Sequence, residues 1–420
     1  MRPPDLTTSL PNRFWRQWWA TAVSNLGDGI NFAALPLLAY SLTDDERLLS
    51  LTAFVTLVPW LVLALPVGVL VDHADRRILM VVANVVRVGL FGVIAVTAGA
   101  DSITVVVLMS LLVGVGTCEV VFDSSAQAFL PTLVSSADLP RANGYLFAVE
   151  VVAGSILGLS VGAFLFDRGH ALPFAVNAAS FAIAAVLIAS IRVERRSRPL
   201  DVSELGASIG SALRSLWDDR LLRLLAIMLT VTNFGLMFGH GIFVKYADRE
   251  LGVTGFGYGL LLVATALGAA GAGVFGHRMI ARLGTRWSII VPYLAFGVTQ
   301  MMLGAVPVTA VVAVVGFVLG ASITMWNVVT VTIRQRLIEP AQFGRVNSVY
   351  RWIGTGAGAF GALVGGQLAY ATNLRVPYIA AGAITLAALA LLAPPLLRGT
   401  HDVDMVDHAR DLTPAPPSIT

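Results

Sequence analysis

The sequence predicts an all-α membrane protein of twelve transmembrane helices in two pseudo-symmetric six-helix bundles, and three observations carry that prediction. First, 56% of the 420 residues are hydrophobic and only 13% charged, with a mean hydropathy of +0.79. That balance leaves too little polar surface to cover a soluble domain of this length. Second, the apolar residues gather into runs of the roughly 20 needed to cross the hydrocarbon core. These lie near 16–42, 48–71, 77–98, 103–130, 139–166, 171–191, 221–246, 254–280, 285–306, 308–335, 341–371 and 376–397. Third, the chain repeats itself: LVSSADLPRAN aligns with LIEPAQFGRVN, placing Leu133 on Leu337, Arg141 on Arg345 and Asn143 on Asn347. The glycines that follow agree, Gly154 with Gly358 and Gly162 with Gly366. A two-fold related pair of bundles with a pathway between them is what such a repeat implies.

The boundaries follow: an N-terminal bundle over 1–191, a cytoplasmic linker over 192–220, a C-terminal bundle over 221–397 and a disordered tail over 398–420. Within the linker, Leu213 and Leu216 close a run of apolar residues three or four apart, the pattern of an amphipathic helix lying on the inner membrane surface. Arginines set the orientation. Arg76, Arg77, Arg141, Arg345 and the RVERRSR run of the linker mark one set of span ends, and the other keeps only Arg47, Arg168, Lys245, Arg249 and Arg375. Both termini are therefore expected in the cytoplasm. The net charge is only +3 and the arginines are scattered, so they read as topology signals and no nucleic acid partner is expected. One cysteine, Cys118, excludes an intramolecular disulfide and a thiolate metal cluster. With no glycine-rich phosphate loop and no histidines paired at zinc spacing, no enzyme activity, metal or cofactor is expected, and any pumping must draw on an ion gradient.

Between spans two and three stands GVLVDHADRR. It is similar to the signature cytoplasmic loop of the major facilitator superfamily, with Gly68, Asp72, Arg76 and Arg77 matching and His73 and Asp75 standing where a basic residue and a glycine are usual. The resemblance implies a conformational latch, in which Asp72 engages the opposite half in one state and releases it in the other. The second-half copy, GHRMIARLGTR, keeps Gly276, Gly284 and Arg286 but no acid. In span five GSILGLSVG sets Gly154, Gly158 and Gly162 on one face, resembling the glycine motif of the superfamily's antiporters, with Leu159 in place of the usual proline. A close-packed helix seam follows in either case.

SNLGDGINFAALPLL in span one and FDSSAQAFLPTLVSSADLPRAN at spans four and five resemble the macrolide-efflux type of drug:proton antiporter. The resemblance covers residues 13–398. It implies the major facilitator fold and a monomer in the bacterial inner membrane that exports lipophilic drugs or secondary metabolites in exchange for protons. A siderophore exporter, an importer of the same fold and a non-transporting receptor are the other readings.

In the resembled fold, spans one, four, seven and ten line the cavity. The charged residues inside spans are few: Asp28, Arg87, Glu119, Asp123, Glu150, His240, Lys245 and Arg351. At 1.5 Å per residue Glu119 lies about 16 Å from the inner end of span four and Asp123 about 10 Å. Glu119, near the midplane, is the first choice for a proton-linked acid, together with Asp28. Asp123 reads as a structural partner of Arg87, with proton coupling the alternative, and Glu150 as an interhelical partner of Arg351. His240 and Lys245 approach the outer face, where interfacial solvation is their default. Asn31, Phe32, Phe122, Gln127, Asn233, Phe234, Met237, Phe238, Met325, Trp326 and Asn327 supply aromatic, thioether and amide surface for a substrate cavity, and each could equally serve packing.

Overall fold

The computed structural model describes residues 10–135, 137–192 and 203–412, and nearly all of them are helical. The N-terminal half runs α1 (Asn12–Leu42), α2 (Glu46–His73), α3 (Arg76–Gly99), α4 (Val105–Phe129), α5 (Leu139–Val149), α6 (Leu159–Phe166) and α7 (Leu172–Ala189). A π-helical stretch, Glu150–Gly158, joins α5 to α6 in one span. After α8 (Ser203–Asp218) come α9 (Arg220–His240), α10 (Phe243–Leu251), α11 (Gly255–Ala305), α12 (Thr309–Leu337), α13 (Pro340–Ala371) and α14 (Val376–Leu412). Several helices start where a short polar side chain holds free amide groups. Asp45 accepts the Arg47 N–H at the head of α2, Asp75 those of Arg77 and Ile78 at α3, and Asp219 that of Leu222 at α9.

Among the described residues ten segments are long and apolar enough to cross a membrane, two of them within α11. The protein is a multi-pass membrane protein. By length alone α1 and α13, of 31 and 32 residues, could cross as well. The division inside α11 falls at Gly284, whose φ of +71° only glycine adopts freely.

Three elements differ from the sequence expectation. Span seven is broken after His240, where the chain turns before α10; there Gly241 packs so closely on Ser50 that an added Cβ would stand 2.8 Å from the Ser50 Cα. Span five is not one α-helix but carries π turns at its centre, a form that recurs at functional sites. The tail expected to be disordered from 398 continues α14 to Leu412. Between Gly399 and Pro414 the sequence holds neither glycine nor proline to stop it. Residues 413–420 lie outside the described residues.

Packing divides the molecule by depth. At the end where α1 stops and α2 starts, a single apolar core takes residues from both halves, among them Leu38, Phe91, Phe174, Tyr246, Tyr258, Leu261 and Tyr378. At the other end the two larger cores are separate. One gathers Phe14, Met80, Phe122, Phe129 and Ile188 of the N-terminal bundle, the other Leu225, Tyr293, Trp326, Ile333 and Tyr350 of the C-terminal bundle. Leu213 and Leu216 bring α8 onto the latter. The halves meet chiefly through α2 on α13 and α6 on α11.

Candidate functional site

Between the halves lies a cavity of about 470 Å³. Asn25, Asp28, Gly29 and Phe32 of α1 and Glu150, Gly154 and Ser155 of the π stretch form one wall; Met237 and His240 of α9, Gln300 of α11 and Thr324 of α12 face it with Tyr378 of α14. The remaining lining is mostly Leu, Val, Ala and Gly, so the cavity is apolar with two carboxylates on one side. The Phe32 and His240 rings approach across it, with centroids 5.5 Å apart.

The acid-bearing wall is held by the glycine seam. A Cβ on Gly158 would come within 2.7 Å of the Gly29 Cα, and one on Gly162 within 2.7 Å of the Ile30 Cα. Glycine therefore lets the two backbones touch. That contact brings Asp28 and Glu150 to the same surface.

Behind this wall sits Arg87, 1% exposed, its guanidinium between the Phe181 and Phe122 rings at 4.8 and 5.3 Å. The charges of Arg87, Glu119 and Glu150 act on Asp28, and those of Glu119, Arg87, Asp28 and Glu150 on Asp123. Trp60 stands beside Glu119. Asp28, Glu119 and Asp123 thus share one buried cation.

Several expectations need correction. Arg87 makes no ion pair with Asp123; its Nε and Nη1 have no hydrogen-bond partner, because aromatic rings of α4 and α7 enclose the guanidinium. Glu150 faces the cavity and pairs with no cation among the described residues, and Arg351 is exposed on α13. The lining of this cavity holds Glu150, Gly154 and Ser155 of the π stretch and no residue of α4, where Glu119 and Asp123 are half-buried. Of the proposed substrate contacts, Phe32 and Met237 line the cavity. Phe122 is buried against Arg87, Phe234 packs at a tilt on the buried Phe238 with centroids 4.7 Å apart, and Trp326 packs on Tyr293 beside the buried Met325. The Asn233 amide donates back to the Leu229 carbonyl, Gln127 and Asn327 are exposed, and Asn31 buries an unpartnered Oδ1.

In the latch motif, Arg76 donates to the Ala128 carbonyl at 2.8 Å and Arg77 to the Ile191 carbonyl at 2.7 Å, binding the last carbonyls of neighbouring helices. Nothing lies within 4 Å of a Cβ placed on Gly68, and the side chain of Asp72 lies outside the described residues.

Sequence reasoning missed the cluster that closes the other end. Lys245, 7% exposed rather than solvated, donates to Glu46 Oε1 at 2.8 Å and to the Asp44 carbonyl. Tyr40 donates to Asp248 at 2.6 Å, Arg249 pairs with Asp44 at 3.4 Å, and Asp167 accepts the Phe256 N–H at 2.8 Å. Each contact joins the two halves. The only lysine of the chain, falling where few cations remain, was the available signal.

This arrangement, two bundles around a cavity at their interface, is that of a membrane transporter. Residues 9–418 match the profile of the family described as transmembrane secretion effectors, and the chain belongs to that major facilitator family. It is 27% identical over 377 residues to the multidrug efflux pump Tap of Mycobacterium tuberculosis, covering 86% of this chain and 88% of that one. It is 23% identical over 350 residues to macrolide efflux protein A of Streptococcus pyogenes, covering 80% and 84%. In fold it resembles the crystal structure of a bacterial homologue of the iron transporter ferroportin in an inward-facing state, with a TM-score of 0.73, 16% identity, and coverage of 92% of this chain and all of the other.

Proposed function

We propose that this protein exports lipophilic drugs or secondary metabolites across a bacterial plasma membrane in exchange for protons, by alternating access. One observation carries the reading: the apolar cavity between the halves bears Asp28 and Glu150 on its wall, Arg87, Glu119 and Glu150 act through charge on Asp28, and Asp28 and Glu150 act on Asp123. One guanidinium cannot balance Asp28, Glu119 and Asp123 together, so the cluster takes up and releases protons as its solvation changes. A proton moving down about 100 mV supplies on the order of 2.3 kcal/mol, and the gradient serves in place of any cofactor. The names of the efflux relatives support export of drugs.

With the arginine-rich ends in the cytoplasm, both termini are inside, the Lys245 cluster closes the outer side, and the structure is the inward-facing state. Substrate enters the cavity from the cytoplasm, and protonation of the Asp28 cluster shifts the balance between the two states. Asp72, Arg76 and Arg77 act as the inner latch in the opposite state.

The test is efflux of a panel of dyes and antibiotics from cells and proteoliposomes, with and without a protonophore. Extrusion stops when the gradient is collapsed, and Asp28→Asn stops it with the gradient intact. Efflux that ignores the protonophore and survives Asp28→Asn overturns the reading.

A further inference from the structure

The two carboxylates on the cavity wall differ in their surroundings. Asp28, half-buried in α1, feels the charge of Arg87 behind it. Glu150 stands exposed at the start of the π stretch, with neither a hydrogen bond nor an ion pair among the described residues. The lining carries no lysine or arginine, and its one imidazole, His240, lies against Phe32 of the other half. On α11, which packs along the π stretch, the first charged side chains are His277 and Arg278, a turn further in than the Gly273 that faces the Phe147 ring. Arg278 turns to the Phe275 ring. Among the described residues, then, Glu150 has no counter-charge of its own.

The wall beside it offers acceptors. The Asn25 amide donates to the Thr21 carbonyl at 2.9 Å, and its Oδ1 lies beside Gly154, 3.7 Å from where a Cβ would stand. Ser155 is next in the lining, and its hydroxyl does not make the bond to the fourth carbonyl back that Ser110, Thr230 and Ser322 make. The Phe32 ring, 50% exposed, adds a face that attracts cations. A cavity of about 470 Å³ suits a drug-sized body. Once such a body displaces the water, an ionised carboxylate without a partner is costly. A cargo that brings its own cation removes that cost, a neutral one of the same shape leaves it in place, and an anion adds repulsion.

We propose that Glu150 selects the cargo by charge, binding the ammonium group of a lipophilic amine whose body fills the cavity, while Asp28 stays with Arg87 and handles protons. The Asn25 Oδ1 and the Ser155 hydroxyl accept the remaining ammonium hydrogens. The inference rests on the export reading above and gives its two cavity acids separate tasks.

The experiment uses the whole transporter in lipid nanodiscs and two fluorescent probes: dansylcadaverine, a lipophilic amine that is cationic at neutral pH, and its N-acetyl derivative, which is neutral. The native protein is expected to bind the amine about tenfold more tightly than the acetylated probe, the low end for a hydrogen bond to a charged group. In Glu150→Gln that preference disappears through a loss of amine affinity alone, so the acetylated probe reports an intact cavity. Glu150→Asp restores the preference, and Asp28→Asn keeps it although efflux stops. Equal affinities in the native protein, a preference that survives Glu150→Gln, a loss of both affinities together, or a preference lost in Asp28→Asn overturns the inference. Native efflux indifferent to a protonophore overturns the proton-exchange reading instead and leaves the two affinities to judge Glu150, so the failures are told apart.

Discussion

In the C-terminal bundle the buried Tyr350 and Tyr378 hydroxyls donate to the Leu225 and Gly239 carbonyls at 3.2 and 3.0 Å, and the Gln300 amide donates to Gly235 at 3.1 Å. In the N-terminal bundle Asn84, Arg87, Ser125 and Asn177 find no such partner. The C-terminal interior has Ser288 and the Trp326 indole in that condition, but no buried acid beside them. The repeat sharpens the contrast, since α4 begins at Val105 and α12 at Thr309. At that shift Glu119 falls on Ile323, Asp123 on Asn327 and Glu150 on Gly354. Inside, the two repeated halves differ: one holds Arg87 and the acids around it, and the other bonds its buried tyrosine and glutamine side chains to backbone carbonyls.

The strongest way to break this comparison is to remove the cation. Arg87→Met strands the carboxylates around it, and loss of one partner from a buried charge set costs roughly 3–5 kcal/mol. Thermal unfolding of purified protein should show it, more at pH 8 than at pH 5, because the abandoned acids repel one another only when ionised. Gln300→Leu in the other half removes one neutral hydrogen bond and should cost about 1 kcal/mol. Equal losses would end the claim that the interiors differ.

The seal is next in size. Lys245→Met leaves Asp44 and Glu46 without their shared ammonium, a truncation worth about 2 kcal/mol or more. The population should move some thirtyfold toward the outward-facing state, read as faster alkylation from outside of a Leu236→Cys label in the cavity.

The seams give a smaller difference. In the repeat Gly158 corresponds to Ala362, which is fully buried. Gly158→Ala forces a Cβ onto Gly29 and should cost about 1–3 kcal/mol, whereas Ala362→Gly should cost about 1 kcal/mol. A tolerated Gly158→Ala would mean that the α1 contact is looser than drawn.

Smallest is the α2 cap, outside both interiors. The Arg47 side chain hydrogen-bonds Asp45 and holds its carboxyl below the usual range. Its contribution is therefore present above the unfolded carboxylate pKa and lost as pH falls through the lower folded value. Asp45→Ala should cost about 0.5–1 kcal/mol at pH 7, shrinking in acid, by calorimetry.

Much of this was legible in the residues. Apolar runs, arginine placement and the repeat gave twelve spans whose ends mostly fall within a few residues of the helices, because a lipid environment enforces length and hydrophobicity locally. Span seven eluded that reading, since an apolar run across residues 240–243 does not reveal the turn there. Asp28 and Phe32 were found because span one faces the centre. Glu119 was chosen because span four lines the cavity in the resembled fold and because of its depth, and depth does not specify direction around the helix axis. The Lys245 cluster was invisible because Asp44 and Glu46 lie some 200 positions away in the chain, and each alone reads as an ordinary loop charge.

The sequence by itself determined that this chain crosses a membrane many times, that its halves repeat, and which few charged residues enter the bilayer; these follow from composition and spacing, which act on each segment separately. Only the tertiary structure decided that Asp28 and Glu150 share a wall, that Arg87 lies among rings rather than on Asp123, and that Lys245 joins the halves. Those facts depend on how helices rotate and approach one another, and glycine seams and ring contacts between distant segments set both.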